Sequence, residues 1–447
     1  MNTGFISMPL INNRMLLVGL ILIMMLVCGC EPQAIAVVAA TETQLPVFTD
    51  TPRSSETPTK EPSAIPTEEP TVTPTPEPTH TPVLTPTLLT DSFAHYPSGE
   101  SALVWSFYLH MQSATTGWAI LRESQESRVK RIMRTTDGGA SWYDVTPLNP
   151  PGGVSQAFFL DGQHAWALQP GEQQAVVWQT TDGGQTWKPG QPLDIVDLSN
   201  TSLTFLDAQN GWLFYGQAIG MHKVPTTVYQ STDGGLTWQI IYADEPGQAG
   251  ELFSGYKSGY VFQDGTTGWA GVASPYVLPE VVTTRDGGYT WEAQFLPLPS
   301  PYTESDVGEC DMVAAPFVFP TQTVMIVSKC WIGDETHRYL YLTVDGGQAW
   351  SANRIPGSEG AVEFASAQEG WAVSIDGSER NVSELYQTVD GGLTWMFIRQ
   401  VNWWTNQLDF VNDQEGWAVA RSGENMAFLH TSDGGETWQQ LQPLIVP

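Results

Sequence analysis

Seven copies of one short pattern constrain this chain more than any other feature of it. Thr135-Thr136-Asp137-Gly138-Gly139-Ala140-Ser141-Trp142 recurs in the same shape around Asp182, Asp233, Asp286, Asp345, Asp390 and Asp433, at intervals of 45, 51, 53, 59, 45 and 43 residues. Periods of this size mark stacked or radial repeat architectures, and a unit of roughly 50 residues holds one four-stranded propeller blade. A second mark precedes the Asp motif by 16 to 21 residues: Gly117-Trp118, Ala165-Trp166, Gly211-Trp212, Gly268-Trp269, Gly370-Trp371 and Gly416-Trp417. The fifth unit departs, with Thr323-Val324 at that place. The predicted fold is all-β: a seven-bladed β-propeller of four-stranded antiparallel blades over residues 93–447.

The last unit shows why the pattern makes a blade. Leu408-Asp409-Phe410-Val411 suits an inner strand, Asn412 to Glu415 a polar turn, Trp417 to Ala420 a second strand and Met426 to Thr431 a third. Asp433-Gly434-Gly435 then turns into a fourth strand from Trp438, because glycine accepts positive φ and the Asp carboxylate accepts backbone N–H groups at the bend. Thirteen of the 18 Trp fall on the two marks. An evenly repeated Trp reads as blade packing, and the seven Asp read as structural turn residues, not as a ring of metal ligands or catalytic acids.

These residues resemble the Asp-box, or bacterial neuraminidase repeat. The combination of Gly-Trp-Ala-Val with Thr-x-Asp-Gly-Gly-x-Thr-Trp is most similar to the photosystem II stability and assembly factor family of seven-bladed propellers. The resemblance covers residues 100–447. It implies a non-enzymatic scaffold that docks through an arginine-rich patch, although no position of that patch can be matched residue by residue. Sialidases and xyloglucan-degrading propellers share the Asp-box on different sites, so the fold alone does not decide the function.

The N-terminus reads as an address. Residues 15–27 are an uninterrupted apolar run behind Arg14, too short to span a bilayer, where roughly 20 residues are needed. Val27-Cys28-Gly29-Cys30 follows and resembles the lipoprotein signal, which would make 1–30 a lipoprotein signal peptide and Cys30 the lipidated residue. A plain secretory peptide or a short uncleaved anchor reads the same run differently. Residues 31–92 form a Thr/Pro-rich linker; from Thr41 to Thr90 there are 15 Thr and 11 Pro, which favour extended, disordered chain and cannot build a core. The expected localisation is the outer face of a bacterial cell membrane, lipid-anchored.

Function classes separate by charge and by missing motifs. With 48 Asp and Glu against 18 Lys and Arg, a formal charge of -30 excludes phosphate binding through general basicity, so nucleic acid is not an expected partner. The histidines show no metal-ligand spacing, and no phosphate-cradling loop, nucleophile elbow or Cys-x-x-Cys is present. No metal, no cofactor and no catalytic residue is assigned. Cys310 and Cys330 flank Phe317 to Gln322, and pairing about that turn sets them opposite each other for a disulfide that an exported chain permits. Two buried free thiols are the alternative.

If the Asp motif joins strands three and four, the loops between strands two and three and between blades share the opposite face. Variable loops on a rigid scaffold carry binding residues. Arg122 and Arg128 fall in the first unit, and Arg338, Arg354, Arg380, Arg399 and Arg421 in or between units five to seven, beside Trp403 and Trp404. Arg and Trp are favoured interface anchors, which makes this arc the expected docking sector for a protein partner, a membrane complex by its tether. Solvated loop arginines are the plain alternative. A glycoside hydrolase needs two carboxyls roughly 5 Å apart if retaining. Glu304, Asp306, Glu309 and Asp311 sit close in sequence without forming a recognisable pair, and Asn353-Arg354-Ile355-Pro356 resembles the Arg-Ile-Pro mark of sialidases but follows the fifth Asp motif where theirs precedes the first. Extracellular carbohydrate binding through exposed Trp is the third class left open.

Overall fold

The computed structural model describes residues 106–122, 130–147, 153–171, 173–217, 223–244, 250, 252, 255–273, 278–375, 382–405, 407–422 and 425–446. The signal peptide, Cys30, the linker, Arg128 and Arg380 lie outside the described residues. What is described contains strands and no helix, so no helix there is long and apolar enough to cross a membrane.

Seven antiparallel sheets follow one another along the chain as blades: 106–144, 156–189, 201–243, 256–295, 307–355, 362–401 and 408–441. Within six of them the blade's four strands pair in chain order, and in the fifth two short stretches, Val307–Met312 and Phe317–Phe319, both pair with Thr323–Ile332, so every unit predicted from the repeat is one blade. The first strands of neighbouring blades approach one another and form the inner ring. In all seven blades the N–H of the first motif glycine donates to a carbonyl of the turn between strands one and two, for example Gly234 to Gln209 at 2.9 Å and Gly434 to Gln414 at 2.9 Å. Those two turns therefore share one face of the ring, as strand alternation requires.

The core is divided into seven apolar seams, one between each pair of neighbouring blades. The Gly-Trp mark builds them. Trp371 of blade six is fully buried, stacks on Phe410 of blade seven at 3.8 Å, and donates its indole N–H to the Gly434 carbonyl in that blade's Asp turn at 2.9 Å. Trp166 and Trp212 reach Gly234 and Gly287 of the next blade at 2.8 Å each. Before four of the six Trp the residue is Gly because an inner-strand ring of its own blade lies over it. A Cβ on Gly416 would stand 2.4 Å from the Phe410 ring, and one on Gly211 2.3 Å from Phe205.

Blade five corrects one expectation. Its register pairs Val324 with the motif residue Thr343 and Met325 with Leu342, whereas Gly416 pairs with Thr431 in blade seven. Val324-Met325, not Thr323-Val324, occupies the place of Gly-Trp, and buried Met325 fills the seam against blade six.

The ring closes where the last blade meets the first. Leu444–Val446 adds a fifth, parallel strand to the outer edge of blade one, on Ser141–Asp144. On the inner edge, the Gln407 side chain exchanges two hydrogen bonds with the Leu109 backbone (3.1 and 2.5 Å), and Asp409 accepts the Met111 N–H at 2.5 Å. Between them the Trp417 indole donates to Gly138 at 3.0 Å. The same rivet that joins blade to blade thus also joins the last blade to the first.

Candidate functional site

The seven motif aspartates are engaged by their own turns. Asp233 Oδ1 accepts the Ser231 hydroxyl and the N–H groups of Leu236 and Thr237 (2.9, 3.1 and 2.9 Å), and its Oδ2 accepts the Thr237 hydroxyl at 2.6 Å. Asp137, Asp182, Asp286, Asp345, Asp390 and Asp433 make the corresponding bonds from Oδ1. At Asp182 the Thr186 hydroxyl and then its N–H hold the carboxyl below the ordinary carboxylate range. At Asp233 partial burial pushes upward, but the bonds from Thr237, Ser231 and Leu236 together outweigh it. A carboxylate stabilised in this way is a weak base and stays ionised, with no proton to give near neutral pH.

The arginine arc separates into residues that face outward and residues that hold blades together. Arg338 is buried, and its guanidinium donates to the carbonyls of Gly360 (2.7 Å), Val373 (3.0 Å) and Pro356. It ties blade five to blade six and cannot be reached by a partner, which removes it from the docking sector. Trp403 is also removed: it is fully buried and packs edge-on against Trp438 at 5.6 Å. Arg399 donates to the Glu436 carbonyl in the next blade's Asp turn. Arg354 is exposed, with its guanidinium 5.5 Å from the Tyr339 ring centroid. Arg421 pairs through its backbone with half-buried Trp404, and Arg122 stands at the equivalent end of the second strand in adjacent blade one. Arg354, Arg421, Arg122 and Trp404 remain at or near the loop face.

Two acids that sequence reasoning missed line the inner ring. Glu363 of blade six and Asp409 of blade seven are the inner-strand residues opposite Trp371 and Trp417. His110 is the equivalent residue of blade one, opposite Trp118. Burial raises Asp409 to about 7 despite the Met111 N–H, and burial, followed by the field of Asp409, raises Glu363 well above the ordinary range. His110 keeps contact with solvent among close protein neighbours; desolvation lowers it, partly offset by a bond to the Phe159 backbone. The available signal was an acid between two apolar residues, Val362-Glu363-Phe364 and Leu408-Asp409-Phe410, on strands expected to be apolar. Of the four acids close in sequence, Glu309 and Asp311 lie on a strand, Val307–Met312. Among the described residues no group of three or more His, Cys, Asp or Glu is arranged to hold a metal ion.

Comparison with known proteins finds partial similarities. No family model matches the chain. A photosystem II assembly lipoprotein Ycf48 of Synechococcus sp. (strain CC9902) is 30% identical over 147 residues, which is 30% of this chain and 38% of that protein. A xyloglucanase of a Paenibacillus species is 23% identical over 278 residues, 55% of this chain and 25% of that enzyme. The matches thus span well under half the length of either relative. A solved structure of YCF48 bound to a D1 peptide aligns with 78% of this chain and 99% of its own, at 15% identity and a TM-score of 0.46.

Proposed function

We propose that this protein is a non-enzymatic, membrane-tethered propeller that docks a protein partner, acting as a scaffold or assembly factor. The observation that carries this reading is that its repeated chemical groups are engaged internally: the motif aspartates in their own turns and the Gly-Trp indoles in the inter-blade seams. The partial similarity to an assembly lipoprotein supports it. In this reading Cys30 carries the lipid, the Thr/Pro linker spaces the ring from the outer face of the membrane, and Arg122, Arg354 and Arg421 with Trp404 bear on an acidic surface of a membrane complex.

Affinity capture with crosslinking from intact membranes tests it. Wild type is expected to recover a defined set of membrane subunits, Cys30→Ala to leave the membrane fraction, and Arg122→Ser/Arg354→Ser/Arg421→Ser to lose the subunits at unchanged thermal stability. Capture unaffected by the triple change refutes the docking sector.

A glycoside-hydrolase reading has one specific observation in its favour, the elevated carboxyl pair Glu363 and Asp409 on adjacent inner strands, because a general acid needs a raised pKa. Release of reducing sugar from xyloglucan, or turnover of a fluorogenic sialoside, that disappears in Asp409→Asn would establish it in place of the scaffold.

A further inference from the structure

Blade five carries a tier that the other blades lack. Its second and third strands, Thr323–Ile332 and Glu335–Thr343, have ten and nine residues, while no other described strand exceeds seven. Phe317–Phe319 pairs with the start of Thr323–Ile332 in the usual inner-strand place, and the added strand Val307–Met312 pairs with its end. At ~3.3 Å per residue, three extra residues lengthen this ladder by about 10 Å toward the loop face. Cys310 and Cys330, direct cross-strand partners, are disulfide-bonded within the added part. The staple therefore belongs to this tier and not to the site of the absent Gly-Trp.

The end of the tier displays a tryptophan among acids. Trp331 is 36% exposed, whereas the tryptophans of the six Gly-Trp marks are fully buried. Glu309 is its cross-strand neighbour, and Asp334 and Glu335 are exposed at the turn just beyond it. The Gly333 N–H donates to the Asp306 carbonyl at 3.2 Å, which brings exposed Glu304 and Asp306 against the same tip. The adjacent cation, Lys329, is engaged: its ammonium lies 5.5 Å from the Trp331 ring centroid and 3.2 Å from Glu359. The indole already takes one cation beside it, and the acids around the tip outnumber the cations.

We propose that this stapled tip docks a basic protein segment, with an Arg or Lys of the partner over the open side of Trp331 and flanking cations held by the surrounding acids. Charge complementarity selects the occupant: acids repel anionic lipid and nucleic acid, and an exposed indole is the strongest cation–π acceptor among side chains. The disulfide keeps the platform ordered before binding, so less conformational freedom is lost on association. This surface is opposite in charge to the arginine arc and does not rest on it.

The test uses the full chain, oxidised, at low salt, with a fluorescein-labelled peptide of six Arg-Gly repeats as probe and fluorescence anisotropy as readout. Trp331→Ala is expected to weaken binding about tenfold, with Trp331→Phe between it and wild type. Glu309→Gln/Asp334→Asn/Glu335→Gln is expected to weaken it by a similar factor. The control Glu292→Gln/Asp413→Asn/Glu436→Gln removes the same charge away from the tip and is expected to change binding less than about twofold. Equal losses in the two triple variants, or wild-type binding by Trp331→Ala, would overturn the proposal, since only diffuse attraction to an acidic protein would then remain.

Discussion

At the scale of single residues, the same backbone place on each inner strand decides whether a blade contributes packing or charge. Phe158, Thr204, Val261 and Phe317 occupy it in blades two to five, while Glu363, Asp409 and His110 occupy it in blades six, seven and one. Asp409 has a consequence for stability that can be measured. Unfolding returns its carboxyl from about 7 to the ordinary range near 4, so between those values the folded chain holds a proton that the unfolded chain has released. Its contribution is full at the acidic end and is lost as the pH rises through about 7, where the buried group must ionise. Glu363 acts in the same direction and His110 in the opposite one. Asp409→Asn keeps an acceptor for the Met111 N–H and is expected to be more stable than wild type at pH 8, by a few kcal/mol, but nearly equal to it at pH 4. Denaturant midpoints across that range check this; a difference that does not change with pH would assign the effect to packing.

At the scale of elements, the hairpins rest on local chemistry and the seams on contacts between blades. Each Asp turn closes with two glycines at positive φ, such as Gly234 at 78° and Gly235 at 86°, and with its own Thr or Ser and Asp, so its bend is set within the hairpin. The added tier of blade five is different, since its added strand Val307–Met312 pairs along one edge only and otherwise rests on the neighbouring seam. Removing the crosslink as Cys310→Ser/Cys330→Ser frees a loop of about 20 residues in the unfolded chain and is expected to cost about 3 kcal/mol. Chemical denaturation without reductant measures it, and an unchanged midpoint would show that the tier unfolds independently of the ring. The seams predict a second cost: Gly416→Ala must push Phe410 off Trp371 and is expected to lose about 1 to 3 kcal/mol, readable by calorimetry.

At the scale of the whole molecule, a ring is only as strong as its join, and here the join is made twice. The outer strap Leu444–Val446 covers the edge of blade one, and the inner bonds of Gln407 and Asp409 hold its first strand. Ending the chain at Leu441 is expected to lower stability by about 2 kcal/mol through the lost ladder bonds and to expose the Tyr143 edge to self-association. An unchanged melting temperature would mean that the inner bonds and Trp417 suffice. The blades themselves, their number and their order were legible in sequence, because turn chemistry and strand alternation repeat locally and Asp-Gly-Gly permits only a tight bend. The candidate site was legible only in part. Arg338 and Trp403 looked like anchors because residue type and loop position suit an interface, yet neighbouring blades bury them. Blade five's register, the inner-ring acids and the closing strand depend on which distant strands become neighbours. Sequence by itself determined seven antiparallel blades; the packing of one blade against the next decided which polar residues face water and which hold the ring.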